Sequence, residues 1–280
     1  MNRDHSVEHG VHVVLLVREN FPWIEYALRS LMESELPWNT QVSVMDVHST
    51  DGSRASIVAQ LPMMKTRFGQ VKYEVGKNWN PEWFARDVLD LACETNCEFA
   101  SIMRGSDLLA SGHRFRLLSQ LLDKNEGAGI ACHSIAWRGF ERLWLQGPAV
   151  FANEVSHSVD LALDVPTSGS LFRVTELQRV RRSSYRSETL MGAKAEIIAR
   201  AGVIGLSQPC VISHAGAGRS SWLQDVNTRL VNLRADVGTI DASLGSHLSQ
   251  AIVERGAWPF ASSVGLVYDD EFADVFPSLL

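Results

Sequence analysis

The chain has 280 residues, 45% of them hydrophobic and 21% charged, which suits one large domain, or one domain with a small appendage, around a sizeable core. Twenty-six basic side chains against 32 acidic ones give a net charge of −6, and a mildly acidic chain is a poor general ligand for nucleic-acid phosphates. The longest aliphatic run, Val13 to Val17, falls far short of the ~20 residues of a membrane span. No apolar stretch follows the charged N-terminus, so neither a membrane span nor a secretory signal is expected. The four cysteines include no C-x-x-C pair: Cys93 and Cys97 are spaced C-x-x-x-C, and Cys132 and Cys210 stand alone. Free thiols in a reducing, cytoplasmic setting are the expectation, rather than disulfides or a zinc site.

Along the chain, strand and helix patterns alternate. Val11 to Val17 has the unbroken aliphatic character of a strand buried on both faces. Pro22 suits a first helical turn, after which Trp23, Ile24, Ala27, Leu28, Leu31 and Met32 form one apolar stripe. Gln41 to Val47 predicts a second strand. A helix start follows at Asp51-Gly-Ser, with Ile57, Val58 and Leu61 expected to face inward. Val71 to Val75 predicts a third strand, Asn80-Pro81 a helix carrying Phe84, Val88 and Leu91, and Phe99 to Met103 a fourth strand. A helix over about 111–123, with Phe115, Leu118, Leu121 and Leu122 on one face, leads to a strand from Ala128 to His133.

Strands separated by helices of this length imply a mostly parallel sheet covered on both sides, and such sheets bind ligands at the carboxyl ends of their strands. The middle of the chain is less regular, with an antiparallel strand expected at Glu141 to Gln146. Ser168 to Val174 (a strand), a helix near Glu188 to Arg200, and Pro209 to Ser213 close the domain. Leu244, Leu248 and Ile252 give the last 60 or so residues a helical period.

Two segments carry a family resemblance. Val11 through Leu31, with Ala27-Leu-Arg-Ser-Leu31, followed by Asp46-Val-His-Ser-Thr-Asp-Gly-Ser53, resembles the opening of the inverting family 2 glycosyltransferases. Val47 and His48 stand where that family has its second Asp and its Gly. Ser168-Gly-Ser-Leu-Phe-Arg-Val174 is similar to its small-residue strand beneath the acceptor. Ser187-Glu-Thr189, a helix, and Ala199 through His214 are similar to its base-bearing segment. The resemblance spans about 11–221. It implies a GT-A-type α/β fold with a nucleotide-binding half (about 8–134) and an acceptor half (about 135–221), while the helical period beyond it marks 222–280 as a helical extension suited to a lid, an oligomer contact or an added helical layer. It also implies a nucleotide-sugar donor, UDP-linked, and a hydroxyl-bearing glycan, lipid-linked or small-molecule acceptor.

Site residues follow from the same resemblance. A carboxylate at a strand end accepts hydrogen bonds from base N–H or ribose hydroxyls, which makes Asp46 the first candidate and Asp51 the second, the latter alternatively a helix cap. Val17, Glu19, Arg86, Arg104, Ser106, Asp107 and Arg219 complete the nucleotide set. The catalytic base falls to Glu188, because its neighbour Thr189 carries no carboxylate.

Phe99-Ala-Ser-Ile-Met-Arg-Gly-Ser-Asp-Leu-Leu109 resembles the strand that ends in the family's metal-holding D-x-D-D-L-L. Here the D-x-D acids become Arg104 and Ser106, and Asp107 survives. Three readings stay open. Asp107 and His214 hold Mn²⁺ or Mg²⁺ with help from phosphate and water; or Arg104 takes the metal's electrostatic role; or the chain binds a nucleotide-sugar without transferring it, as an assembly module. The arginines Arg173, Arg179, Arg181, Arg182 and Arg186 read either as a site for an anionic acceptor or as a solvated helix face. Trp137, Trp144 and Trp222 read as sugar-stacking or core residues. A sugar-phosphate nucleotidyltransferase is disfavoured, since Arg18-Glu-Asn-Phe-Pro22 has no glycine. No G-x-G-x-x-G follows the first strand, which disfavours a dehydrogenase.

Overall fold

The aliphatic run at the N-terminus forms β1 (Glu8–Val17), with Val11, Val13, Val14, Leu15 and Val17 at most 1% exposed. A strand so buried must be covered on both faces, and its alternating side chains divide between two cores. The computed structural model describes residues 8–36, 39–76, 81–109, 112–138, 143–146, 154–158, 161–182 and 190–214. On one side of β1, β2 (Thr40–Asp46) and then β3 (Gln70–Val75) run parallel to it. On the other side lies β4 (Cys97–Arg104), also parallel. The register pairs Val17 with Asp46, Asp46 with Val75, and Leu16 with Arg104. These strands therefore end together, and their carboxyl ends share one edge.

Helices α1 (Trp23–Glu33), α2 (Ser53–Arg67) and α3 (Pro81–Cys93) connect these strands. Ile24, Leu28, Leu31 and Ile57 pack with Val13, Leu15 and Val17 on one face of the sheet. Val88, Leu89 and Ala92 pack with Val14 and Leu16 on the other. Burying one such aliphatic side chain contributes about 1.5–3 kcal/mol. Val58 departs from expectation: it is 51% exposed, and the inward face of α2 is carried by Ile57 and, in part, by Leu61. Adjacent helix positions lie about 100° apart, so one of the pair turns outward.

Beyond β4 the sheet becomes mixed. β5 (Asp107–Leu109) leads into α4 (Arg114–Lys124), and β6 (Ile130–Arg138) pairs antiparallel with β7 (Leu143–Gln146), so the expected antiparallel excursion is present. After α5 (Leu161–Asp164), β8 (Leu171–Arg173) inserts antiparallel between β4 and β6. Ser168 to Val174 is thus a shorter strand than predicted, because α6 (Val174–Arg182) starts directly after it. Helix α7 (Leu190–Ala201) precedes β9 (Val203–His214), which runs parallel to β6 and extends well upstream of Pro209. β5 closes the far edge, antiparallel to β9. The sheet order is β3-β2-β1-β4-β8-β6-β9-β5, with β7 beside β6. Among the described residues no helix is long and apolar enough to cross a membrane. The predicted helical extension over 222–280 lies outside the described residues.

One buried titratable group reports on the packing of the β1–β2 pair. His12 is 1% exposed and its Nε2 meets Ser43 Oγ at 2.8 Å. Burial, the dominant cause, pushes its pKa down from 6.5 to about 4. Between those two values the unfolded chain binds more protons than the folded one, so stability falls as pH drops from 6.5 towards 4, then levels off for this group. At one pH unit per 1.36 kcal/mol, the loss by pH 5 is about 2 kcal/mol. Urea unfolding at pH 7.5 and pH 5 is expected to show a drop smaller by that amount in His12→Leu. An equal drop in both proteins would remove His12 from the acid response.

Candidate functional site

Two loops meet at the shared carboxyl edge. The loop after β1 (18–22) and the loop after β2 (47–52) are joined by hydrogen bonds in both directions. Glu19 N–H donates to Ser49 Oγ at 3.1 Å, Asn20 N–H to Ser53 Oγ at 2.9 Å, and Phe21 N–H to Asp51 Oδ2 at 2.7 Å. In return Glu19 Oε1 accepts from Thr50 N–H at 2.9 Å and from the Thr50 hydroxyl at 3.1 Å. Below them, Val47 N–H donates to Val17 O at 2.8 Å. Glu19 and His48 hold positive φ angles of 51° and 54°, a conformation that costs a non-glycine residue about 1–2 kcal/mol and persists where surrounding contacts over-determine it.

Asp46 sits beneath this pair of loops and is fully buried. Its Oδ1 accepts from Ser49 N–H at 2.9 Å, and its Oδ2 accepts from Arg54 Nε at 3.0 Å and from the Tyr73 hydroxyl at 3.2 Å. Burial acts to raise its pKa, but the Ser49 and Arg54 hydrogen bonds outweigh it and hold the carboxyl below its ordinary value. Asp46 is therefore an ionised anchor for the loop above it. Asp51 is also held below its ordinary value: burial opposes, and hydrogen bonds from Ser53 and Phe21 prevail. Its Oδ1 accepts from Ser53 N–H at 3.0 Å, the first residue of α2, while Gly52 is the residue that caps the helix, so Asp51 braces the helix start from one position upstream as well as joining the loops.

Arg104, Ser106 and Asp107 occupy the turn between β4 and β5. Gly105 N–H donates to Leu16 O at 2.6 Å, tying the turn to β1. Asp107 is fully buried, Ser106 is 1% exposed, and the Arg104 side chain is 17% exposed. Arg104 Nε donates to Asp107 Oδ2 at 3.2 Å, and the Ser168 hydroxyl donates to the same oxygen. Ser168 lies beside β4, bridged to Ile102, and Gly169 N–H donates to Ile102 O at 2.9 Å. Asp107 pairs with Ser213 across β5 and β9, so the backbone of His214 ends beside this turn. The His214 side chain lies outside the described set.

A divalent cation seeks several oxygen ligands, carboxylates foremost. The turn offers one carboxylate, already engaged by a guanidinium and a hydroxyl, and no group of three His, Cys, Asp or Glu side chains suited to a metal occurs among the described residues. The described residues of the turn do not fit such a cation.

Val17, Glu19, Asp46 and Asp51 are thus brought together with Arg104, Ser106 and Asp107 along three neighbouring strands. Asp46 and Arg104 flank β1 at a distance of two strand spacings, about 10 Å. Arg86 is exposed in the first half of α3. Glu188, Arg186, Arg219 and Trp222 lie outside the described residues. Trp137 and Trp144 face each other in the β6–β7 pairing, and their side chains lie outside the described set.

Three described members of the arginine run are engaged within the chain, and Arg182 is exposed at the end of α6. Arg173 points inward to Glu98 at 3.1 Å and to the carbonyls of Ala128 and Leu122. Arg179 pairs with Glu176, and Arg181 pairs with Asp90 at 2.5 Å. Sequence reasoning missed Tyr73 and Arg54 as partners of Asp46. Arg54 follows the Asp51-Gly-Ser signal directly, whereas Tyr73, on the neighbouring strand, left no local mark.

A mixed, mostly parallel sheet flanked by helices, with its loops gathered at one carboxyl edge, is the GT-A-type architecture of nucleotide-sugar glycosyltransferases. Residues 1–349 of S. aureus TarS in complex with UDP-GlcNAc superpose with a TM-score of 0.65 at 12% identity, over 88% of this chain and 71% of that one. The mannosyltransferase PcManGT from Pyrobaculum calidifontis, in complex with GDP-Man and Mn²⁺, gives 0.57 at 12% identity, over 98% and 77%. No protein-family model matches the chain, and no curated protein matches it in sequence.

Proposed function

We propose that the chain is a glycosyltransferase, a diverged relative of inverting family 2, that moves a sugar from a UDP-sugar to a hydroxyl of a glycan, lipid-linked or small-molecule acceptor. The observation that carries this reading is the joined pair of loops over ionised Asp46 at the sheet's carboxyl edge, in a fold shared with proteins crystallised with UDP-GlcNAc and GDP-Man. In this reading Asp46 acts from below, fixing Ser49, Arg54 and Tyr73 as the floor on which the nucleoside rests, and Glu19 and Asp51 hold the rim. Residues of about 8–134 serve the donor and about 135–221 the acceptor, with 222–280 as an added helical extension.

Transfer with inversion requires the acceptor oxygen to attack the anomeric carbon from the face opposite the leaving group. The acceptor's proton passes to a carboxylate, for which Glu188 is the proposed base. The bond from the anomeric carbon to the β-phosphate oxygen breaks, and the nucleoside diphosphate leaves with the electron pair.

A thermal-shift screen of UDP-, GDP- and dTDP-sugars tests the donor class, since a ligand at a hundred times its Kd stabilises the native state by about 2.7 kcal/mol. UDP-sugars are expected to give the largest shift. Silence from all three classes would remove the reading. Glu188→Gln is expected to lower transfer by roughly 10²–10⁴-fold, the usual contribution of a general base, with the UDP shift unchanged. Full turnover in that variant would exclude Glu188.

A further inference from the structure

We propose that Arg104, braced by Asp107, takes the donor's pyrophosphate directly, so that donor binding needs no divalent cation; this rests on the glycosyltransferase reading above. A turn carrying several carboxylates repels a diphosphate until a metal intervenes. In this turn the charges of Arg104 and Asp107 cancel, and the positive member is covalently part of the chain. The described side chains of the turn disagree with a metal site and agree with a guanidinium one.

Arg104 is placed and held for this task. It ends β4, paired with Leu16 beside the end of β1, two strand spacings from Asp46 on the nucleoside side. Its Nε rests on the buried Asp107 carboxylate, which the Ser168 hydroxyl holds from another direction, while Arg104 N–H reaches Ser168 Oγ at 3.4 Å. Ordering a guanidinium in advance of its ligand lowers the cost of binding, and a charge-assisted contact to a phosphate oxygen is about twice as strong as a neutral one. At 17% exposure the side chain reaches the surface while its anchor remains buried.

The test is calorimetric titration of the full chain with uridine, UMP and UDP, and with the guanosine series beside them, in EDTA and in Mn²⁺. For the wild type, the diphosphate is expected to bind equally well in both media, within about twofold, well inside the tenfold that 1.4 kcal/mol represents. Arg104→Gln is expected to weaken the diphosphate by roughly tenfold, the loss of a charge-assisted contact, and to leave the nucleoside unchanged. Arg104→Gln leaves Asp107 buried without its ion-pair partner and risks misfolding. Arg104→Gln with Asp107→Asn removes both charges together and is expected to show the same selective loss. Diphosphate binding that appears only with Mn²⁺ overturns the proposal and leaves the glycosyltransferase reading intact, as does metal-free binding that neither variant weakens. Failure of every nucleoside and nucleotide to bind the wild type in either medium overturns both.

Discussion

Asp46→Ala is expected to abolish the nucleotide-induced thermal shift and to destabilise the fold by about 2–4 kcal/mol. The buried Ser49 N–H and the Tyr73 hydroxyl both lose their acceptor, and an unsatisfied buried donor costs about 1–3 kcal/mol. The void left by the carboxylate adds to this. Arg54, with 46% of its side chain exposed, turns to water and contributes little. The functional loss follows from position. The loop over 47–52 carries Ser49, Thr50 and Asp51, each bonded to the loop after β1, so releasing Ser49 loosens both walls at once. Denaturant unfolding and a UDP thermal-shift titration on the same preparation provide the check. A variant that keeps wild-type stability and a wild-type UDP shift would show that Asp46 anchors nothing of consequence.

Gly169→Ala tests the other end of the site. Gly169 has φ of +73°, which costs an L-residue about 1–2 kcal/mol. A Cβ there would lie 2.7 Å from Val211 Cγ2, 2.9 Å from Arg114 Nη2 and 3.0 Å from its Cζ. Arg114 is fully buried, stacked over Phe115 at 4.3 Å, and has little room to retreat. Backbone strain and overpacking of about 1–3 kcal/mol together predict a loss of about 3 kcal/mol, or roughly 6–12 °C in Tm for a domain of this size. Because Gly169 follows the serine that grips Asp107, displacement there also disturbs the Arg104 pair, and diphosphate affinity is expected to fall with stability. An unchanged Tm would mean that Val211 and Arg114 yield freely and that the turn is less constrained than its geometry indicates.

How much of this was legible in the sequence depends on how far apart the cooperating residues lie. β1, β2, β4 and the apolar stripes of α1 and α4 follow from local pattern, because each strand is buried between the two cores and each stripe faces one of them. α6 was legible only as the solvated-helix reading of the arginine run, and its bounds were not, because it begins at Val174, immediately after a three-residue strand, with no Gly or Pro between them. The arginines in and around that helix left an anion site open as the other reading for the same reason. The i, i+3 partner Glu176 of Arg179 was visible nearby, but Asp90, which neutralises Arg181, lies on α3. The segments around Asp46 and around Arg104 were both readable as strings that resemble family motifs. What those side chains touch was not: Tyr73 reaches Asp46 across 27 residues, and Ser168 reaches Asp107 across 61. Contacts at such separations are products of the sheet's topology and leave no trace in a local window.

The three-residue strand β5 ties β9 to α1 like a gear tooth. Asp107, Leu108 and Leu109 mesh with Ser213, Ile212 and Val211, while Leu109 N–H is fastened to Ser30 Oγ on α1 at 3.1 Å. Sliding β9 by one residue would drag this tooth about 3.4 Å, farther than the Arg104–Asp107 contact can stretch. The Arg104–Asp107 pair and the strand that ends at His214 therefore cannot move independently, and a shift felt at one is transmitted to the other.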